Sequence, residues 1–163
     1  MRRRESGFTL TELLVTAAIL AVLAGIALPL VKVAVQRENE IELRRSLRTI
    51  REAIDAYKRL ADENKIEVED DSDGYPPTLE VLIEGVKLKA AAKEDPKAGK
   101  TSEEKIIKFL RRIPIDPMTR SADWGLLSSQ DAPDATTWGE ENVFDVYSKS
   151  RRTALDGTKY RDW

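Results

Sequence analysis

The chain has 163 residues, 27 of them Lys or Arg and 29 Asp or Glu, for a formal net charge of −2, with neither Cys nor His. Without these two residue types there is no disulfide framework, thiolate metal site, cysteine nucleophile or histidine general base. A chain with no basic excess has little charge to neutralise phosphates, so nucleic acid is not expected as a partner, and no enzyme constellation is present.

The chain opens on a basic head, MRRRESG, followed from Leu13 to Val31 by a stretch without one charge. With its Phe8-Thr9-Leu10 lead-in, this run reaches the ~20 apolar residues needed to span a bilayer as a helix. A soluble core helix is seldom apolar on every face for so long. A secretory signal peptide has a shorter apolar region of about 7–15 residues, ending in a small-x-small site. Here the small pair Gly25-x-Ala27 lies inside the apolar run. Glu12 sits just inside that run, where an ionised carboxylate is costly unless paired, and is by default a functional candidate.

Gly7-Phe8-Thr9-Leu10-Thr11-Glu12-Leu13-Leu14, ahead of an apolar run that contains Pro29, resembles the processing signature of type IV pilins and type II secretion pseudopilins. The resemblance implies cleavage between Gly7 and Phe8 by a prepilin peptidase, followed by N-methylation of Phe8. It also implies that Glu12, fifth in the mature chain, pairs with the Phe8 amine of a neighbouring subunit in a helical filament. Thr11 departs from the bulky aliphatic residue usual in the family. Cleavage removes three Arg and one Glu, leaving 24 basic and 28 acidic residues. Arg2, Arg3 and Arg4 favour a cytoplasmic N-terminus, whereas Lys32, Arg37, Arg44 and Arg45 flank the other end. The leader resemblance implies a single-pass inner-membrane protein with the N-terminus inside and the C-terminal domain in the periplasm.

Beyond Val35 the apolar pattern becomes one-sided. Leu43, Leu47, Ile50, Ile54, Tyr57 and Ala61 recur at helical spacing, and Glu40–Arg44, Arg48–Glu52 and Asp55–Arg59 are opposite charges four apart. One helix is expected over 8–62, loosened at Pro29. The acidic stretch 67–77 is turn-rich. Glu69, Asp71, Asp73, Gly74 and Glu80 fall near the positions of a calcium-binding hand, but the first should be Asp and Pro76-Pro77 interrupt it, so the reading is a solvated turn.

A short helix is expected over Thr78–Val86, then an exposed Lys/Ala-rich insertion over 87–100. Thr101-x-x-Glu104 has the form of a capping box and predicts a helix through Arg112. Trp124–Leu127 and Asn142–Tyr147 read as strands of a hairpin with a long connection. Packed on the helix stripe, they make an α+β fold in which a small antiparallel sheet covers a long helix, a pilin-like lollipop. The expected divisions are a leader over 1–7, a transmembrane or filament-core helix over 8–35 and a periplasmic globular domain over 36–163.

Tyr75-Pro76-Pro77-Thr78-Leu79, Arg112-Ile113-Pro114-Ile115-Asp116-Pro117 and Phe144-Asp145-Val146-Tyr147-Ser148, with Asp156-Gly157 and Asp162-Trp163, resemble segments of the major pseudopilin family of type II secretion. In that family the tail loop binds calcium in place of the disulfide that pins the loop of many pilins. The resemblance implies Asp156 and Asp162 as the calcium ligands, although Arg151 and Arg152 stand where acidic residues or Gly would be expected.

The implied function is that of a structural subunit of a pseudopilus driving protein secretion across the outer membrane. Its partners would be other copies, minor pseudopilins, an inner-membrane platform protein and an assembly ATPase. A type IV pilin for adhesion, motility or DNA uptake is the alternative within the superfamily. A membrane-tethered periplasmic binding module is the alternative from another class, and Glu12 discriminates against it, since a tether gains nothing from an intramembrane acid.

Overall fold

A computed structural model describes residues 7–68, 72–89, 105–132 and 134–163. It divides into two compact units, Met1–Glu38 and Asn39–Trp163. Helix α1 runs from Leu10 to Asp62 with Pro29 inside it, about 80 Å at ~1.5 Å per residue. Thr9 caps its start: the Thr9 Oγ1 accepts the Glu12 backbone N–H at 3.3 Å. Its end is equally well defined. Asn64 lies in the left-handed region at φ 53°, its N–H donates to the Ala61 carbonyl at 2.9 Å, and the Lys65 N–H reaches back to Leu60 at 3.0 Å. These two bonds satisfy carbonyls that a helix end otherwise leaves open.

In the second unit the expected stripe is the core. Leu43, Leu47, Ile50, Ile54, Tyr57 and Ala61 are all buried, joined by Ala53. Fully burying one Leu or Ile side chain contributes about 1.5–3 kcal/mol, so this face dominates the unit's stability. Among the described residues, Arg48 and Glu52 form no ion pair, nor do Asp55 and Arg59. Exposed long side chains gain little by pairing in water.

Helix α2, Leu79–Glu84, follows Thr78 and stops at Gly85, whose φ of 88° favours glycine. Its inner residues Leu79 and Leu82 are buried, and the Leu82 carbonyl accepts N–H groups from both Phe109 and Leu110 at 2.9 Å. Strand β1, Val86–Lys87, pairs antiparallel with β2, Ile106–Ile107. This corrects two expectations. Lys87 ends a strand rather than opening a solvated insertion, and the segment before Arg112 pairs as a strand instead of continuing a helix. The Leu88 N–H donates to the Lys105 carbonyl at 3.0 Å, and two β-branched residues side by side suit that ladder. Thr101 and Glu104, the proposed capping box, and the rest of the Lys/Ala-rich segment lie outside the described residues.

Strands β3, Gly125–Leu127, and β4, Asp145–Tyr147, form the expected antiparallel hairpin, with Gly125 opposite Tyr147 and Leu126 opposite Val146. Its long connection is held by side chains. Asp131 accepts N–H groups from Ser128 at 2.7 Å and Gly139 at 3.1 Å, and buried Asn142 exchanges two hydrogen bonds with Ser129. Buried Asp116 joins the preceding turn to the strand end by accepting the Ser148 hydroxyl at 2.6 Å. A 3-10 turn over Tyr160–Asp162 closes the chain. The architecture is α+β, with two small antiparallel sheets.

Gly125 is where backbone and ring approach most closely: a Cβ there would overlap the Tyr147 ring. Gly125→Ala is expected to lower unfolding stability by about 1–3 kcal/mol, as an overpacked site does, measured by thermal or urea unfolding. An unchanged midpoint would contradict this packing.

Candidate functional site

The residues singled out at the N-terminus fall in a short segment ahead of and within the first turn of α1. Gly7, Phe8 and Thr9 precede the helix without regular secondary structure, and all are exposed, Phe8 at 77%. A Cβ at Gly7 would meet nothing within 4 Å. The Gly7–Phe8 bond therefore lies in accessible, non-helical backbone, the conformation a peptidase needs.

Thr9 and Glu12 stand in the N-cap and third helical positions, the spacing of a capping box that the sequence itself carries. Thr9 also meets the Thr11 hydroxyl at 3.2 Å. The Glu12 carboxylate is exposed and makes no hydrogen bond or ion pair among the described residues. Beyond it, α1 contains a span of mean hydropathy 2.6, none of it buried, long and apolar enough to cross a membrane. An unpaired acid at the head of such a span is chemically poised to receive a cation from outside its own chain.

At the other end of the sequence, the tail is clasped to α1 by residues spaced along one face of the helix. Glu40 Oε1 accepts the Leu155 N–H at 2.9 Å and the Tyr160 hydroxyl at 2.8 Å. Arg44 lies 4.1 Å above the Trp163 ring, and its Nη2 is 3.5 Å from Asp156 Oδ2. Arg51 donates to both carboxylate oxygens of Asp145 at 2.6 and 3.1 Å, and to the carbonyls of Val146 and Trp163 at 3.2 and 2.7 Å. Trp163 packs edge-on against Tyr160 and donates its indole N–H to Thr158 at 2.7 Å. In the sequence Glu40 has only a helix-face pairing with Arg44 and Arg51 has no role, because the tail partners of both lie 94 to 120 residues away.

The expected calcium ligands are engaged differently. Asp156 Oδ1 accepts both the backbone N–H of Thr158 at 2.9 Å and its hydroxyl at 2.6 Å, closing a turn through Gly157 at φ 89°. Arg44 lies beside the second oxygen of Asp156, with both side chains more than half exposed. Asp162 sits in the final 3-10 turn. Among the described residues no three acidic side chains gather as a metal site. In this arrangement Asp156 closes a hydrogen-bonded turn, while a calcium site draws on six to eight oxygen ligands.

Of the acidic stretch likened to a calcium hand, Glu69 and Asp71 lie outside the described residues. Asp73 accepts the Ser129 hydroxyl at 2.8 Å, and Tyr75 closes a turn onto Ser72.

The hydrogen bonds from Thr158, with Arg44 secondary, hold the Asp156 carboxyl below the usual aspartate range. Its charged form is favoured in the folded state. The stabilising contribution is therefore complete above the ordinary aspartate pKa and lost as pH falls through the lowered folded value. Wild type should melt above Asp156→Asn at neutral pH, and the two melting temperatures should converge in acid. A gap that stays constant across the titration would contradict the assignment.

Residues 2–28 match the family described as the prokaryotic N-terminal methylation motif. Over 147 residues, 90% of this chain and 84% of the relative, the sequence is 29% identical to the type II secretion system core protein G of Pseudomonas aeruginosa. It is 28% identical over 149 residues, with the same coverage of each, to the type II secretion system core protein G of Klebsiella pneumoniae. No solved structure matches the chain. The chain thus carries the N-terminal methylation motif of the type IV pilin family and is similar across nine tenths of its length to type II secretion core proteins G.

Proposed function

We propose that this protein is a structural subunit of a pseudopilus, the filament whose growth drives type II protein secretion across the outer membrane. The observation that carries the reading is Glu12: an exposed acid without a partner, four residues after Phe8, at the head of an unburied apolar span. In the filament the Phe8 amine of a neighbouring copy supplies that partner. Each charge alone is expensive in apolar surroundings, so only the register that pairs them is tolerated. Similarity to core proteins G favours secretion over a surface pilus.

In this reading a prepilin peptidase cuts between Gly7 and Phe8, and Phe8 is N-methylated. The apolar span holds the subunit in the inner membrane, N-terminus inside, until a platform protein, an assembly ATPase and minor pseudopilins bring it into the filament. The C-terminal unit then lies in the periplasm. Expressed with that machinery, the protein should show an intact mass lacking residues 1–7 and carrying one added methyl group. Glu12→Ala should remain membrane-inserted yet lose filaments by electron microscopy. An uncut leader, or filaments of normal length in the variant, would overturn the reading.

Calcium at Asp156 and Asp162 is a separate proposal carried by the family resemblance alone. It requires Asp156 to exchange Arg44 for the ion. Binding to the folded state raises stability by RT ln(1 + [L]/Kd), about 2.7 kcal/mol at ~100-fold excess over Kd, so bound calcium should raise the melting temperature above that in chelator. Coincident curves would leave the hydrogen-bonded clasp as the sole tether of the tail.

A further inference from the structure

Two surface features of the second unit remain without a task. The first is a groove of about 730 Å³ beside α1, floored in part by Phe109, Ile113 and Ile115. Ile115 is 63% exposed and places apolar surface at the groove. The rim is basic: Arg45, Arg111 and Arg112 line it against a single acid, Glu42, which stands 4.0 Å from Arg45. Arg111 and Arg112 are exposed and have no ion-pair or hydrogen-bond partner among the described residues.

The second feature is a ridge of opposite character. Phe144 is 48% exposed and braced edge-on by the Tyr75 ring at 5.2 Å. Acids flank it: Asp73, two residues before Tyr75, and Glu141, three before Phe144, both exposed. Lys58 is the nearby cation, 5.3 Å from the centre of the Tyr75 ring and already paired with Asp62.

The two features lie at different heights on the same helix. The groove adjoins α1 at Arg45, Ser46 and Thr49, and the ridge at Lys58. Twelve residues from Ser46 to Lys58 amount to about 18 Å along the axis. A contact between unlike patches displaced along an axis does not close on itself: each copy offers one ridge and one groove, and repetition makes an open helical array.

We infer that the Phe144–Tyr75 ridge of one copy docks in the Phe109–Ile115 groove of the next, with Asp73 and Glu141 facing Arg111 and Arg112. Apolar surface is removed from water on both sides, while charge complementarity selects the pairing and excludes the like-to-like alternatives. The inference rests on the filament reading and names a subunit contact within it.

The chain has no Cys, so introduced thiols report without background. Full-length protein carrying Phe144→Cys and Ile115→Cys, assembled by its machinery and mildly oxidised, should yield a covalent ladder of oligomers. Either single variant should yield none. A disulfide requires Cβ atoms about 3.5–4.5 Å apart, so the ladder reports direct docking.

A second arm avoids the apolar residues. Arg111→Glu with Arg112→Glu should reduce filaments about tenfold, and adding Asp73→Lys and Glu141→Lys should restore them, since like charges in contact oppose docking and exchanged ones do not. Filaments without a ladder, or a charge reversal without rescue, overturn this contact and leave the filament reading intact. Absence of filaments from the unsubstituted protein overturns both.

Discussion

The buried stripe from Leu43 to Ala61 is the surface on which the rest of the second unit is assembled. Seven small or apolar side chains at helical spacing create one continuous apolar face, which water penalises until something covers it. The covering elements are individually too short to stand alone: α2 has six residues and, among the described residues, no strand exceeds three. A two-stranded ladder of that length has no stability of its own, so each element exists because it is laid on α1. The helix thus acts as template, and its own termination at Asn64 sets where the chain turns back to cover it.

The same helix carries the polar contacts that hold the tail. Glu40, Arg44 and Arg51 reach the last strand and the residues after it through hydrogen bonds, a stacked ring and a two-pronged Arg–carboxylate pair. A chain without Cys cannot use a disulfide for this purpose. Distributed polar contacts do the equivalent work, and the Arg51 guanidinium suits it because its planar fork meets Asp145 and two carbonyls together. Arg44 stacks on Trp163 and faces Asp156, adding a ring contact and an ion pair to the same clasp.

Glu12 belongs to a different regime. In the second unit buried polar groups are satisfied within the chain, as with Asp116, Asn142 and Ser148. Glu12 is not, and it stands where isolation costs most once the apolar span leaves water. Thr9 secures the helix start by accepting the Glu12 N–H, leaving the carboxylate free of any local duty. In the proposed filament, an internal pair would leave the subunit self-sufficient, whereas the unmet acid would tie it to a neighbour.

The sequence by itself determined the N-terminal signature, the apolar span, the buried stripe and the hairpin of Gly125–Leu127 with Asp145–Tyr147. Each is written in contiguous residues or in a simple period, and depends on nothing distant. The tertiary structure alone decided the rest. Ile106–Ile107 became a strand because Val86–Lys87 lay ready to receive its backbone hydrogen bonds, a partner that local helix signals cannot register. Glu40 and Arg51 looked like ordinary charges on a solvated helix face until folding brought Tyr160, Asp145 and Trp163 to them across a hundred residues of chain. Asp156 stands out in the sequence only through the resemblance of the tail to the family's tail, and its bonds to Thr158 are local. Arg44, far earlier in the chain, reaches its second oxygen only through the fold, and sequence spacing holds no record of such a neighbour.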